Sequence, residues 1–266
     1  MGVPTGVRGG ALLLAAAAVL TWPSAASAQL AETVAGVDDG VVRFAYDLKP
    51  GVEVCDRGIR SGGHRVTWRS DGRYDPGVCV SDVVELELEV RAGTVRDLEV
   101  VKPSDPEPVP LARDVGLVPA SEAVDFLLGL SRSGATVAAA EDAVFPATLA
   151  DVDGTWRELL ALAQDRAVDR EVRKASLFWV GQEAADAVTE GLSGVALADD
   201  EEQEVREAAI FALSQRPENQ AVASLIEIAR SAEQAESRRT AMFWLAQSED
   251  DRVVAFFEEV LLGRNR

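Results

Sequence analysis

Apolar and acidic residues alternate without a break from Val84 to Val90, with Val84, Leu86, Leu88 and Val90 on one side and Glu85, Glu87 and Glu89 on the other. A period of two is the signature of a half-buried strand. Arg91-Ala92-Gly93-Thr94 then predicts a turn, and Val95 to Val101 the returning strand. Shorter alternations over 42–48 and 64–69 predict further strands. Residues 38–102 are therefore expected to form a small antiparallel β domain of four or five strands with one apolar face. Residues 29–37 read as a short tail. Four prolines between Lys102 and Pro110 prevent regular structure, so 103–119 reads as a Pro-rich linker.

From Ser121, a predicted N-cap, the period lengthens to that of a helix, with Val124, Leu127 and Leu128 on one face. The segment Glu171–Gln182 (EVRKASLFWVGQ) returns as EVREAAIFALSQ at Glu204–Gln215 and as ESRRTAMFWLAQ at Glu236–Gln247. Phe145, Phe178, Phe211 and Phe243 hold one register, and Leu159, Leu192, Leu225 and Phe257 hold another, as do Leu162, Val195, Ile228 and Val260. Self-similarity with a period just over thirty residues marks stacked modules that cannot bury their apolar faces alone. The expected fold class is α+β: the β domain, then an α-solenoid of about four helical repeats over 120–266. The first unit carries Pro146 where two later ones carry Trp179 and Trp244, and reads as a cap. Asp169 is placed as the N-cap of one helix and Pro217 in the first turn of another. The paired aromatics Phe178-Trp179 and Phe243-Trp244 are expected in the core. Gln182, Gln215 and Gln247 are expected to satisfy carbonyls left open at helix ends.

The recurring Val-Arg-x-x-Ala-x-x-x-Leu, seen at Val172-Arg173 and Val205-Arg206 and varied at Ser237-Arg238, resembles the short bacterial HEAT-like repeats first grouped with phycobilisome lyases. The match runs from Ala139 to Arg264. It implies antiparallel helix pairs in a curved array, with the second helices on the concave side. On that side Glu158, Gln164, Glu190, Glu227, Arg230 and Glu259 are expected to face solvent, and all but Gln164 are candidates for partner binding. Such arrays are mostly scaffolds and occasionally enzymes. HEAT-fold oxygenases hold iron through His-Glu pairs, and no histidine follows His64 here.

The first 28 residues carry a basic start ending at Arg8, an apolar run from Ala11 to Leu20, and Ala26-Ser27-Ala28. That is the layout of a secretory leader cut after Ala28, which would place the protein in the periplasm or outside the cell. No later run approaches the roughly 20 apolar residues of a membrane span. In an oxidising compartment the two cysteines, Cys55 and Cys79, are expected to form one disulfide. Zinc is the competing reading, because His64 lies between them, but two Cys and one His without any Cys-x-x-Cys element make a poor zinc pattern.

The formal charge of the chain is −19, and most of it follows residue 102, with 15 basic against 31 acidic residues. That sign repels phosphate backbones and disfavours nucleic acid. A partner protein with a basic segment suits it, although acidity can also serve solubility alone. The stretch between the cysteines is instead basic: Arg57, Arg60, Arg65, Arg69 and Arg73 form an anion-binding candidate, or a solvated loop, or a dock for the acidic helices. No catalytic residue, cofactor site or metal site is singled out, since a nucleophile–histidine arrangement would rest on His64 alone. The leading expectation is an exported, non-enzymatic scaffold or adaptor. The alternative is an enzyme or small-molecule carrier with its site between the β domain and the helices.

Overall fold

The computed structural model describes residues 27–56, 58–61, 64–67, 77–104, 112–183 and 187–263. The expected leader therefore lies outside the described residues, apart from its last two positions. The first elements are α1 (Ser27–Ala35), β1 (Gly40–Asp47), β2 (Val52–Cys55), β3 (Gly58–Ser61), β4 (His64–Thr67), β5 (Cys79–Val80), β6 (Val83–Arg91), β7 (Thr94–Val100) and β8 (Ala112–Leu117). They make two four-stranded sheets, ordered β7-β6-β1-β8 and β4-β3-β2-β5.

The alternation in β6 does what its period requires, burying Val84, Leu86, Leu88 and Val90. β1 pairs antiparallel with β6 and adds Val42, Phe44 and Tyr46 to the same buried face. The opposite face is polar, and there the directly paired residues Arg43 and Glu87 form an ion pair of 2.6 Å. Helix α2 (Ala120–Arg132) covers the apolar face, where Phe126 meets Phe44 edge-on with ring centroids 5.8 Å apart.

The described strands number eight in two sheets where four or five in one were expected, and two segments also depart from the sequence reading. Residues 29–37 were expected as a tail, but Ser27–Ala35 form a helix whose Leu30 and Val34 are buried against α2. Within the expected linker, β8 pairs with β1 in parallel, with a shift in register between Arg43 and Ala45. Its residues are half-buried or exposed throughout, so it carries no alternation to detect. The α2 helix starts at Ala120 with Pro119 as its N-cap, and Ser121 is a first-turn residue.

In the second sheet Cys55 and Cys79 lie directly opposite each other on β2 and β5 and are joined in a disulfide. A loop closed over a separation of 24 residues should contribute about 3–4 kcal/mol by limiting the unfolded chain. Replacing both cysteines with Ser is expected to lower the denaturant midpoint correspondingly. An unchanged midpoint would show that β2 and β5 hold together without the bond.

The remaining helices are α3 (Val137–Asp142), α4 (Val144–Ala147), α5 (Thr155–Gln164), α6 (Arg170–Gly181), α7 (Ala187–Leu197), α8 (Gln203–Ser214), α9 (Glu218–Ser231), α10 (Ala235–Leu245) and α11 (Asp251–Leu261). Helices at equivalent repeat positions pack side by side: α6 on α8 and α8 on α10, α5 on α7, α7 on α9, and α9 on α11. Leu159, Leu192 and Leu225 are buried in α5, α7 and α9. In α11 the buried positions are Val253 and Phe256, and the expected Phe257 and Val260 are half-buried. Pro217 is the N-cap of α9, and Asp169 caps α6 by accepting the N–H of Glu171. Among the described residues no helix is long and apolar enough to cross a membrane.

The motif arginines explain why the repeat carries that residue. Arg173 is 1 % exposed; its Nε donates to the carbonyl of Ala163 at the end of α5, and its Nη2 pairs with the buried Glu201. Arg206 reaches the carbonyl of Glu201, and Arg238 that of Ala232 at the end of α9. Each guanidinium supplies donors where the chain has left carbonyls open, and near helix C-termini a cation is also favourable. The expected glutamine ladder does not do this: Gln182, Gln215 and Gln247 are exposed. Between α6 and α8 the role falls to the buried Arg216, which donates to the carbonyls of Gly181 and Glu183.

The β sheets and the helices share one apolar core. Tyr46 on β1 donates its hydroxyl to the carbonyl of Pro146 at 2.7 Å. Burial pushes that phenol well above its usual pKa, which keeps it a neutral donor.

Candidate functional site: the cleft at the edge of β7

β7 is an edge strand of the first sheet. Its first half is covered: the turn before α3 hydrogen-bonds along it, with Thr136 N–H donating to Val95 O at 2.9 Å and Thr136 Oγ1 to Arg96 O at 3.1 Å. Thr136 also caps α3, which fixes that helix against the strand. The second half, Asp97 to Val100, is left to line a cleft of about 470 Å³, closed on the other side by α3, α4 and α6.

Four carboxylates stand around this cleft, Asp97 and Glu99 from the strand and Glu141 and Asp142 from α3, with Lys102 as the lining cation. Loss of water at α3 pushes both of its carboxyls above their usual range. Repulsion from Asp142 and Glu171 adds to the rise at Glu141, partly offset by Lys174. Repulsion from Asp97 and Glu99 adds to it at Asp142. Negative charge is thus concentrated here beyond what the local cations balance.

The wall opposite is aromatic. Phe145 of α4 stacks on Trp179 of α6 with ring centroids 4.3 Å apart, and both line the cleft. From there rings continue across successive helices: Phe178 stacks on Phe211 at 6.2 Å, and Phe211 meets Trp244 at 5.2 Å. Of these, Phe178, Trp179 and Trp244 were expected in the core. They are instead half-buried, and Phe243 at the far end is 58 % exposed. Packing on both sides of the first helices leaves a seam between neighbours, and the aromatic at each repeat position fills that seam from the surface.

The sequence-derived candidates lie elsewhere. Glu158, Gln164, Glu190, Glu227 and Arg230 are exposed on α5, α7 and α9, and Glu259 is half-buried on α11. Their surface is less negative than the residue count implies, because Arg230 pairs with Glu259 at 2.6 Å and Arg132 with Glu158 at 3.8 Å. Of the five arginines, Arg57, Arg69 and Arg73 lie outside the described residues, as does the side chain of Arg65. Arg60 pairs with Glu53 of the neighbouring strand at 2.9 Å. The His64 side chain also lies outside the described residues. A second hollow of about 270 Å³ near Asp151, Asp153 and Trp156 contains its own ion pair, Lys49 to Glu183 at 3.3 Å.

Sequence reasoning missed the β7 cleft because its carboxylates come from segments more than 40 residues apart. The alternation in Thr94–Val100 marks Asp97 and Glu99 as outward-facing, but nothing local shows that α3 brings two more acids to the same edge. Among the described residues no group of three or more His, Cys, Asp or Glu side chains is placed to hold a metal ion. No protein-family model, curated protein or solved structure matches the chain.

Proposed function

We propose that this protein is an exported, non-enzymatic scaffold whose helices form a HEAT-like solenoid, and that it takes a basic, extended segment of a partner protein into the β7 cleft. The observation that carries the reading is the half of an edge strand that the α3 turn leaves uncovered, where Asp97 Oδ1 accepts the Leu98 N–H at 2.9 Å, lying between four carboxylates and a stacked Phe145–Trp179 pair. An extended peptide can add to a sheet edge through its backbone, while Lys or Arg side chains meet the carboxylates and the aromatic face. The disulfide and the lack of a membrane-crossing helix among the described residues fit an exported protein. Placing the site in this cleft moves it from the α5, α7, α9 and α11 surface to the junction of sheet and helices. The junction is also where a small-molecule carrier would hold its ligand, and the charge there selects a cation for either role.

Trp fluorescence of the purified protein titrated with an oligolysine peptide tests the reading, with an oligoglutamate peptide as control. Replacing Glu99, Glu141 and Asp142 together with their amides is expected to weaken oligolysine binding about tenfold, because each exposed pair is worth about 0.2–1 kcal/mol. The same change at Glu190 and Glu227 should leave it unaltered. Equal losses in both variants, or none in the first, would remove the cleft as the site. A small organic cation that binds as tightly as the peptide would favour the carrier.

The pH dependence has a definite sign. Protonating Glu141 and Asp142 removes the charge that attracts the peptide, and their carboxyls titrate above the ordinary range. Affinity should therefore begin to fall, on acidification, at a higher pH than ordinary carboxylates would dictate. In the triple amide variant this early fall should be absent.

A further inference from the structure

Two helix N-termini converge on one buried carboxylate. Glu122 lies in the first turn of α2, is 4 % exposed, and accepts the backbone N–H of Leu30 at 2.7 Å. Leu30 is itself fully buried near the start of α1. Among the described residues no Lys or Arg forms an ion pair with Glu122. The other charged groups on these elements, Glu32 on α1, Asp125 and Arg132 on α2, and Arg113 and Asp114 on β8, are all exposed, and Arg132 faces Glu158. Arg113 is turned to the carbonyl of Thr33. A carboxylate taken out of water with one amide donor and no cation is costly.

The predicted cut after Ala28 falls one residue before Leu30. Hydrolysis of the Ala28–Gln29 amide consumes one water, leaves a carboxylate on the departing Ala28, and frees an α-ammonium on Gln29. In the chain as described, that nitrogen is the helical neighbour of the one already bonded to Glu122.

We propose that the α-ammonium of Gln29, created by export processing, is the cationic partner of Glu122, so that cleavage closes an ion pair holding α1 on α2. The proposal rests on the leader reading and is independent of the cleft. Processing would then complete the folded state as well as release the chain. It would also hold the Gln29 amine away from its own side-chain amide, the attack that would otherwise cyclise the residue with loss of ammonia.

The test uses protein recovered after export. Its N-terminus is read by mass spectrometry, and the α-amine is titrated through the pH dependence of its acylation, in the folded protein and in urea. Expected are an uncyclised Gln29 and an amine titrating about one unit or more above the ordinary 7.7–8.0. Glu122→Gln should return it to the ordinary range. The linked stability is present below the ordinary value and lost as pH rises through the folded one. A first residue other than Gln29 overturns the proposal, and so does an amine that titrates alike in the folded and urea-unfolded chains. The second comparison needs no variant, so a Glu122→Gln protein that fails to fold leaves it decisive.

Discussion

Glu201→Ala is expected to destabilise the protein by about 3–5 kcal/mol, the usual consequence of stranding one member of a buried ion pair. Arg173 and Glu201 have side chains only 1 % and 6 % exposed. Without Glu201 the Arg173 guanidinium keeps its bond to the Ala163 carbonyl but remains a charge in an apolar setting between α5, α6 and α8. Such a loss is a large share of the 5–15 kcal/mol that holds typical domains. The double variant Arg173→Met, Glu201→Leu removes charge from both sides and should recover most of it, since replacing a buried pair by apolar residues is often neutral. Denaturant midpoints of the two variants measure the difference. A single variant within 1 kcal/mol of the parent would show that Arg173 is adequately served by Glu202, whose carboxylate lies 3.6 Å away.

Ending the chain at Arg230 should lower its melting temperature and make it self-associate. This removes α10 and α11, and α9 loses the cover of both. Val222, Leu225 and Ile228 are buried on α9, and re-exposing each in part costs up to about 1.5–3 kcal/mol. In a stacked array each unit depends on its neighbours and an end without a polar cap is insoluble. Thermal melts and sedimentation of the shortened chain check this. A shortened chain as stable and monomeric as the parent would contradict the repeat reading, because α9 would then be complete without its successors.

What was legible in the sequence was what repeats or alternates. β6 declared itself because four apolar and three acidic residues alternate, and the first helices because one dodecamer recurs. The motif arginine was visible as a pattern, but its partner was not: Ala163 and Glu201 are related to Arg173 only through the turn geometry of neighbouring helices. β8 and α1 escaped for a different reason. Each is short and packs by one or two residues, so tertiary contact rather than local periodicity fixes its conformation. The cleft was illegible for both reasons at once, since its acids come from a strand and a helix brought together by the turn before α3, which Gly134 and Thr136 tie to the strand.

The position of β1 at the centre of its sheet has a consequence for how the chain folds. Its partners arrive late: β6 ends at Arg91, β8 at Leu117, and the Tyr46 hydroxyl waits for a carbonyl 100 residues downstream. Contacts so distant in sequence must first overcome loop closure, whereas adjacent helices find each other locally and quickly. An apolar strand synthesised early thus has both edges bare until the chain has passed Arg91 and one edge bare until it has passed Leu117, and during that interval it is a template for pairing with other chains. When the full-length chain is refolded from denaturant, the helices, whose contacts are local, are expected to settle first and the strands last.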